Sequence, residues 1–116
     1  MDTELGIQTI TFDTFASVDI RIGNIHSSTP LEGSDKLLVL TVDLGKPYGV
    51  VEILTGIRQW YTSEELDGKS FLFVANIPPR PMMGRTSHGM ILAVDGPDKP
   101  ILIAMDSKLA PGSRIR

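Results

Sequence analysis

The chain contains no cysteine, and its 116 residues include only two histidines, His26 and His88. Without cysteine there is no disulfide and no thiolate metal site. The two histidines lie far apart in the sequence, and neither has a second metal ligand at the spacing of a zinc site. We therefore expect a domain that is held together by its apolar core alone, with no metal and no cofactor.

Long apolar runs are also missing. No stretch approaches the roughly 18–20 residues that a membrane-spanning helix needs. The acidic start, residues 1–4, lacks the basic flank and apolar centre of a signal peptide. Hydrophobic residues make up 41% of the chain and charged residues 22%, which is usual for a soluble globular protein. These features predict a single cytoplasmic domain that does not associate with membranes.

An overall excess of basic residues is absent. The 14 acidic residues outnumber the 11 lysines and arginines, and the isoelectric point is about 5.2. Proteins that bind nucleic acid mainly through charge usually show the opposite balance. Aromatic residues contribute only 6% of the chain, too few for a platform on which single-stranded bases stack. Any nucleic-acid binding must therefore use a local patch and recognise folded RNA through its backbone and shape.

Catalytic groupings are equally sparse. Ser87 and His88 are adjacent, so their side chains point to opposite faces of an extended segment and form no dyad by themselves. Glu64 and Glu65 are neighbours on a predicted short helix and do not face each other. The glycines of residues 84–89 have the spacing of neither a P-loop nor a dinucleotide-binding fingerprint. We expect no enzymatic activity.

Short segments with strand periodicity dominate what is present. Residues 18–25 alternate apolar and polar side chains up to Gly23, where the phase flips, and a glycine at such a flip predicts a β-bulge. Thr11 is predicted to cap one helical turn. Thr62 and Glu65 fit a capping box, which predicts a helix of about two turns. Further strands are predicted over residues 37–44, 50–57, 69–75 and 90–94, with 101–105 as a sixth strand or a continuation of the fifth.

Five strands with one short helix between the third and fourth match the all-β OB-fold, a Greek-key barrel. An SH3-like barrel is the alternative. OB-folds bind ligands on strands two and three and on the loops that join strands one to two and four to five. Here those loops are residues 27–36 and 76–89. The second is too long for a hairpin turn, and its three prolines predict that most of it does not pair in a sheet.

The two predicted loops carry the candidate binding residues. Lys36 lies in the first, and Arg80 and Arg85 lie in the second, which contains no acid. Each alone is typical of a solvated surface charge, but together they predict a phosphate-binding rim on the barrel. Glu32 and Asp35 in the first loop count against this prediction, since they could repel phosphate or instead hold the bases in position.

For several apolar residues in and near these loops, the sequence also predicts whether the side chain is buried or exposed. Met82 and Met83 are adjacent and cannot both face one core, so one of them should be exposed. For Met90 we expect core packing. Trp60 and Tyr61 are expected to close the bottom of the barrel.

Ordered blocks along the chain resemble a known family, the tRNA-binding OB domain. The blocks are residues 15–23, 33–38, 42–45, 55–57, 74–77 and 84–90, the last reading Gly-Arg-Thr-Ser-His-Gly-Met. This domain occurs at the C-terminus of methionyl-tRNA synthetase, in related synthetase-associated cofactors and as small stand-alone proteins. The resemblance covers residues 12–116 and leaves residues 1–11 as an N-terminal extension.

The resemblance implies a homodimeric OB-fold that grips the outer corner of tRNA by shape, with little sequence preference and no catalysis of its own. A methionyl-tRNA synthetase catalytic subunit is an implied partner. Ser87 and Met90, from the Gly84–Met90 signature, are implied RNA contacts, as are Lys36 from the Asp-Lys-Leu block and Arg80 after the loop proline. Arg85 stands where the family often has an apolar residue.

Two alternatives remain open. Residues 78–81, Pro-Pro-Arg-Pro, are also similar to the export-chaperone branch of the same fold, which is thought to bind polypeptide. Pro81 and Met83 stand where the tRNA-binding branch often has further bases. A peptide-binding chaperone and a protein-interaction module that scaffolds synthetases are therefore the competing hypotheses.

Overall fold

The computed structural model describes residues 6–116. Within that range no helix is long and apolar enough to cross a membrane. The elements, in chain order, are α1 (Phe12–Ala16), β1 (Ile20–Pro30), β2 (Leu38–Asp43), β3 (Val50–Thr55), α2 (Ser63–Leu66), β4 (Ser70–Val74), β5 (Arg80–Met82), β6 (Arg85–Ser87), β7 (Met90–Ile91), β8 (Ala93–Asp95), β9 (Pro100–Leu102), β10 (Ala104–Met105) and β11 (Arg114–Ile115).

The long strand β1 connects the two halves of the main sheet. Its first part, residues 20–24, pairs antiparallel with β4, and its second part, residues 24–30, pairs antiparallel with β2. β2 continues to β3, while β4 also pairs with β7 and β10. The sheet therefore curls into a nearly closed barrel. This confirms the predicted all-β, OB-fold-like architecture, with α2 between β3 and β4.

The β-bulge in β1 lies at a different residue from the one predicted. Ile25 is opposite Val42 and Ser27 is opposite Thr41, so His26 is the extra residue. Since His26 is exposed, it bulges without displacing a core side chain. Gly23 instead stays in the ladder with β4, buried against the core. A Cβ at Gly23 would lie 2.6 Å from Phe73 and 2.7 Å from Val42, so the close approach of these side chains requires glycine.

Apolar side chains fill the barrel and also cover one end of its outer face. The main core contains the fully buried Ile25, Leu40, Val42, Ile53 and Phe73, together with Leu38, Leu44, Ile57, Leu66, Phe71, Ala75 and Ile91. A second cluster joins Leu31, Val39 and Leu54 with the partly buried Leu37 and Met82. β2 therefore buries residues on both of its faces at this end.

Tyr61 closes one opening of the barrel. Its ring packs against the main core, and its hydroxyl donates to the carbonyl of Pro100 at 2.9 Å and accepts from the N–H of Leu102 at 3.2 Å. This agrees with the role predicted for the Trp60–Tyr61 pair, although Trp60 itself stays 37% exposed. The capping box also forms, since the carboxylate of Glu65 accepts the N–H of Thr62 at 3.0 Å.

The second predicted loop contains a β-hairpin that the sequence did not predict, although residues 76–79 and 88–89 lie outside any strand, so most of the loop stays unpaired. β5 and β6 pair antiparallel, with Arg80 opposite Ser87 and Met82 opposite Arg85. Met83 and Gly84 form the turn with φ of 51° and 82°, the positive values of a type I′ turn. With a two-residue turn, Pro81 falls at a pair that exchanges no backbone hydrogen bonds. Its missing N–H therefore costs the ladder nothing.

The first loop is shorter than predicted, and the fifth strand is divided. β1 runs to Pro30, which leaves residues 31–37 to connect it to β2. Leu92 separates β7 from β8. The predicted segment 101–105 forms parts of β9 and β10.

Ser87 helps to close the barrel between β3 and β4. The residue is buried, and its hydroxyl accepts the N–H of Leu54 at 3.0 Å and donates to the carbonyl of Gly89 at 3.2 Å. The following N–H, of His88, donates to the carbonyl of Glu52 at 2.8 Å. β7 then pairs with β4. The segment after the hairpin therefore bridges the two strands, with a side-chain hydroxyl satisfying one buried backbone donor.

The start of the domain has the predicted helical turn. Thr11 caps α1, its hydroxyl accepting the N–H of Thr14 at 3.1 Å. All residues of α1 are exposed. Part of the predicted extension, residues 1–5, lies outside the described residues. The boundary between residues 1–11 and 12–116 stays a prediction.

Replacing Gly23 by alanine should lower the free energy of unfolding by about 1–3 kcal/mol, the usual cost of overpacking a core. The added methyl would collide with Phe73 and Val42. Denaturant unfolding measures the change. Gly56→Ala is the matched control, because nothing lies within 4 Å of a Cβ at Gly56. Equal stability of the two variants would contradict the packing argument.

Replacing Ser87 by alanine should cost about 1–3 kcal/mol, because the buried N–H of Leu54 loses its acceptor. The melting temperature measured by circular dichroism should fall by several degrees. Thr86→Ala, at an exposed position of the same hairpin, is the control and should change little. A Ser87→Ala variant as stable as Thr86→Ala would show that the hydroxyl does not hold the barrel closed.

Candidate nucleic-acid interface

Two segments meet at one edge of the barrel: the loop of residues 31–37 and the hairpin of residues 80–87. We call them together the rim. Met82 of the hairpin packs into the cluster of Leu31, Val39 and Leu54. The Met83 methyl lies 4.0 Å from a Cβ built at Gly33. The OB-fold prediction that these two segments would lie side by side is therefore met, and apolar contacts fix their relative position.

The first segment of the rim is held by its own hydrogen bonds. The N–H of Leu31 donates to the carbonyl of Leu37 at 3.0 Å, and the hydroxyl of Ser34 accepts from the N–H groups of Lys36 and Leu37. Arg58, from the segment after β3, donates its backbone N–H to the carbonyl of Lys36 at 3.1 Å and its guanidinium to the carbonyl of Ser34. The side chain of Lys36 is left exposed on a fixed backbone.

Arg80 and Arg85 differ in their surroundings, although both are exposed on the hairpin. Arg85 forms a two-pronged ion pair with Glu52 of β3, with Nε 2.8 Å from one carboxylate oxygen and Nη2 3.1 Å from the other. This hydrogen bonding holds the pKa of the Glu52 carboxyl below its ordinary value. In residues 6–116 no carboxylate lies within ion-pair distance of Arg80 or Lys36. Two of the three predicted bases are therefore available to an anion.

The remaining candidate contacts, Ser87 and Met90, have opposite exposures. The hydroxyl of Ser87 is buried and occupied by internal hydrogen bonds. Met90 is 46% exposed, so the expectation of core packing was wrong for its side chain. The reason is alternation in β7, where Ile91 takes the buried position. Met83 is 59% exposed while Met82 is half-buried, as predicted for the pair.

Asn76 fixes the point at which the chain leaves β4 toward the hairpin. Its side-chain oxygen accepts the N–H of Asp19 at 2.8 Å, and its amide donates to the carbonyl of Ser17 at 2.7 Å. The Asp19 carboxylate accepts hydrogen bonds from Arg21 at 2.9 Å and from the Tyr48 hydroxyl at 2.6 Å. The bond from Arg21, above all, holds the pKa of the Asp19 carboxyl below its usual value.

Sequence reasoning missed Asn76 and Glu52. Glu52 interrupts the apolar run of residues 50–54, which was a signal for a functional or paired acid on the strand. Nothing in the sequence shows that Asn76 reaches back to residues 17–19, because that contact spans 57 to 59 positions.

Two open hollows lie outside the rim. A groove of about 510 Å³ runs between Tyr48, Val51, His88 and residues 75–79. A smaller hollow of about 230 Å³ is lined by α1 and the C-terminal end, including Phe12, Phe15, Val18 and Ile115. Over residues 6–116, no three histidine or acidic side chains are placed to hold a metal ion.

Comparison with known proteins identifies the family. The tRNA binding domain family matches residues 20–114. The chain is 41% identical over 108 residues to the methionine–tRNA ligase of Acidithiobacillus ferrooxidans and 42% identical over 108 residues to that of Leptospira biflexa. In each case 92% of this chain is covered but only 16% of the ligase. The matched part is the C-terminal domain of the ligases, outside their catalytic part.

Two solved structures share the whole fold. The methionyl-tRNA synthetase-related protein from Pyrococcus horikoshii superposes with a TM-score of 0.88 at 30% identity, covering 95% of this chain and 100% of that one. The CsaA chaperone from Picrophilus torridus superposes with a TM-score of 0.84 at 27% identity, covering 93% and 100%. The chain belongs to the tRNA binding domain family.

Proposed function

We propose that this domain binds the outer corner of folded tRNA through its rim, by shape and with little sequence preference. The observation that carries the proposal is the placement of Lys36 and Arg80. Both side chains are exposed, and neither has a carboxylate partner within residues 6–116. They stand on two adjoining segments that internal contacts hold in place. Membership of the tRNA binding domain family supports the choice of tRNA.

Recognition by shape fits the chemistry of the rim. Lysine and arginine contacts to phosphate position a protein on nucleic acid but carry no base information. Met83 and Met90 add exposed, polarisable apolar surface without hydrogen-bonding specificity. Ser87 contributes by fixing the backbone between the hairpin and β7, since its hydroxyl is occupied internally.

Of the three rim bases, Lys36 and Arg80 have no carboxylate partner among the described residues, and so few bases suggest a modest affinity for tRNA. A modest affinity suits a domain that works beside a catalytic partner. We propose a methionyl-tRNA synthetase catalytic subunit as that partner, in cis or in trans, and the cytoplasm as the compartment. Tethering would raise the local concentration of tRNA near the catalytic site, so that weak binding suffices. The likeness to methionine–tRNA ligases supports this assignment.

We also propose that the domain forms a homodimer through the face of α1 and the C-terminal strand. Phe12 is 78% exposed and Phe15 42% exposed, beside a hollow that Val18 and Ile115 help to line. Clustered apolar side chains of this kind mark association surfaces. A dimer would also present two rims to RNA.

Peptide binding is the second candidate function. The groove is lined by apolar residues, among them Val51, Ile77 and Pro78, and by the polar side chains of Tyr48, Asn76 and His88. Such a mixed groove could hold an extended polypeptide, and the CsaA chaperone shares the fold.

Binding of bulk tRNA should weaken when Lys36 or Arg80 is replaced by alanine, with no change in melting temperature. Two phosphate contacts predict that log K falls against log salt with a slope of about −1.8, and each alanine should reduce its magnitude by about 0.9. Fluorescence titration across a salt series measures both. Lys108→Ala, outside the rim, is the control.

The same titration separates the candidate functions. Intact tRNA should bind more tightly than a minihelix that lacks the corner, and an unfolded peptide should not compete. Competition by the peptide, with no binding of tRNA at low salt, would favour the chaperone function. Variants at Lys36 or Arg80 that unfold the protein would show that these residues are structural and that the assignment of the rim is wrong.

Replacing Phe12 by serine should shift the protein from dimer to monomer without unfolding it, because this residue is 78% exposed in the single chain. Light scattering measures the mass. Val94→Ser, at an exposed apolar residue outside that face, is the control. A monomeric wild-type protein would remove the dimer proposal.

A further inference from the structure

The ion pair between Arg85 and Glu52 joins the hairpin strand β6 to the barrel strand β3. Glu52 lies in β3, opposite Thr41 of β2, and its carbonyl accepts the N–H of His88. Arg85 lies in β6, opposite Met82, whose side chain is packed in the second apolar cluster. Backbone pairing therefore fixes the two residues' backbones and keeps the carboxylate and the guanidinium within reach of each other.

The pair also stands in the proposed path of the RNA. The side chain of Arg85 is 45% exposed and that of Glu52 is 37% exposed, so solvent and ligands reach both. A phosphate that approached Arg85 would have to replace a carboxylate already bound to two of its nitrogens. The displaced Glu52 carboxylate would then lie unpaired beside the RNA backbone, and its negative charge would repel the phosphates.

We infer that Glu52 is an intramolecular competitor of RNA phosphate for Arg85, and that this acid keeps the affinity of the rim low. Glu52 acts as a positioning residue, because it acts on RNA only through the arginine. The inference rests on the proposed function and adds a determinant of affinity to it. With Glu52 in place, the rim offers Lys36 and Arg80 to phosphate. Without the charge of Glu52, it offers Arg85 as well.

Glu52→Gln tests the inference, because glutamine keeps the size of the side chain and removes its charge. A third phosphate contact should make the salt slope steeper by about 0.9 and strengthen tRNA binding by about eightfold at 0.1 M salt, with the gain vanishing toward 1 M. Salt-dependent titration of the full chain with bulk tRNA measures both, and thermal unfolding checks that the fold is kept.

Two further variants isolate the arginine. Glu64→Gln removes the same charge from an exposed position on α2, outside the rim, so it should leave the slope unchanged. In the Glu52→Gln background, Arg85→Ala should return the slope to the wild-type value. In the wild-type background, Arg85→Ala leaves the Glu52 carboxylate unpaired beside the RNA, so tRNA binding should weaken and the slope should not become steeper.

The outcomes distinguish this inference from the proposed function. A wild-type protein that binds tRNA and a Glu52→Gln variant with the same slope would overturn the inference alone. A variant that binds more weakly, with an unchanged slope and a lower melting temperature, would show that the pair only holds the hairpin in place. Failure of both proteins to bind tRNA at low salt would overturn both ideas.

Discussion

The double pairing of β1 is the constraint on which the rest of the structure depends. Because one strand pairs first with β4 and then with β2, the sheet must bend within it, and the two halves must face each other across a single core. The bend brings Phe73 and Val42 against Gly23, where no Cβ fits. The exposed bulge at His26 adjusts the register without disturbing that core. The position of the rim follows from this bend, since residues 31–37 begin where β1 ends.

A side-chain hydrogen bond closes the barrel next to β3. The hydroxyl of Ser87 occupies the place that a backbone carbonyl would take in a ladder, and it satisfies the N–H of Leu54. The same residue ends the hairpin that carries Arg80 and Arg85. Barrel closure and the orientation of the basic side chains therefore depend on one short segment. The hydroxyl of Ser87 is thus engaged within the protein, between the hairpin and the barrel.

The sequence predicted the elements that depend on neighbouring residues. The caps at Thr11 and Thr62 appear as expected, because their hydrogen bonds close within three or four residues. The order of strands and the position of α2 also follow from periodicity. The hairpin of residues 80–87 was missed because the prolines were taken to prevent pairing. The register decides otherwise, placing Pro81 where no hydrogen bond is needed.

The basic rim residues were identifiable from sequence, but their electrostatic state was not. Composition, periodicity and the ordered family blocks determined the fold class and the candidates Lys36, Arg80 and Arg85. Only the tertiary structure placed Glu52 against Arg85, 33 positions along the chain, and left Lys36 and Arg80 without a carboxylate partner among the described residues. The physical reason is that capping and alternation are local, whereas ion pairing between strands depends on how the barrel closes.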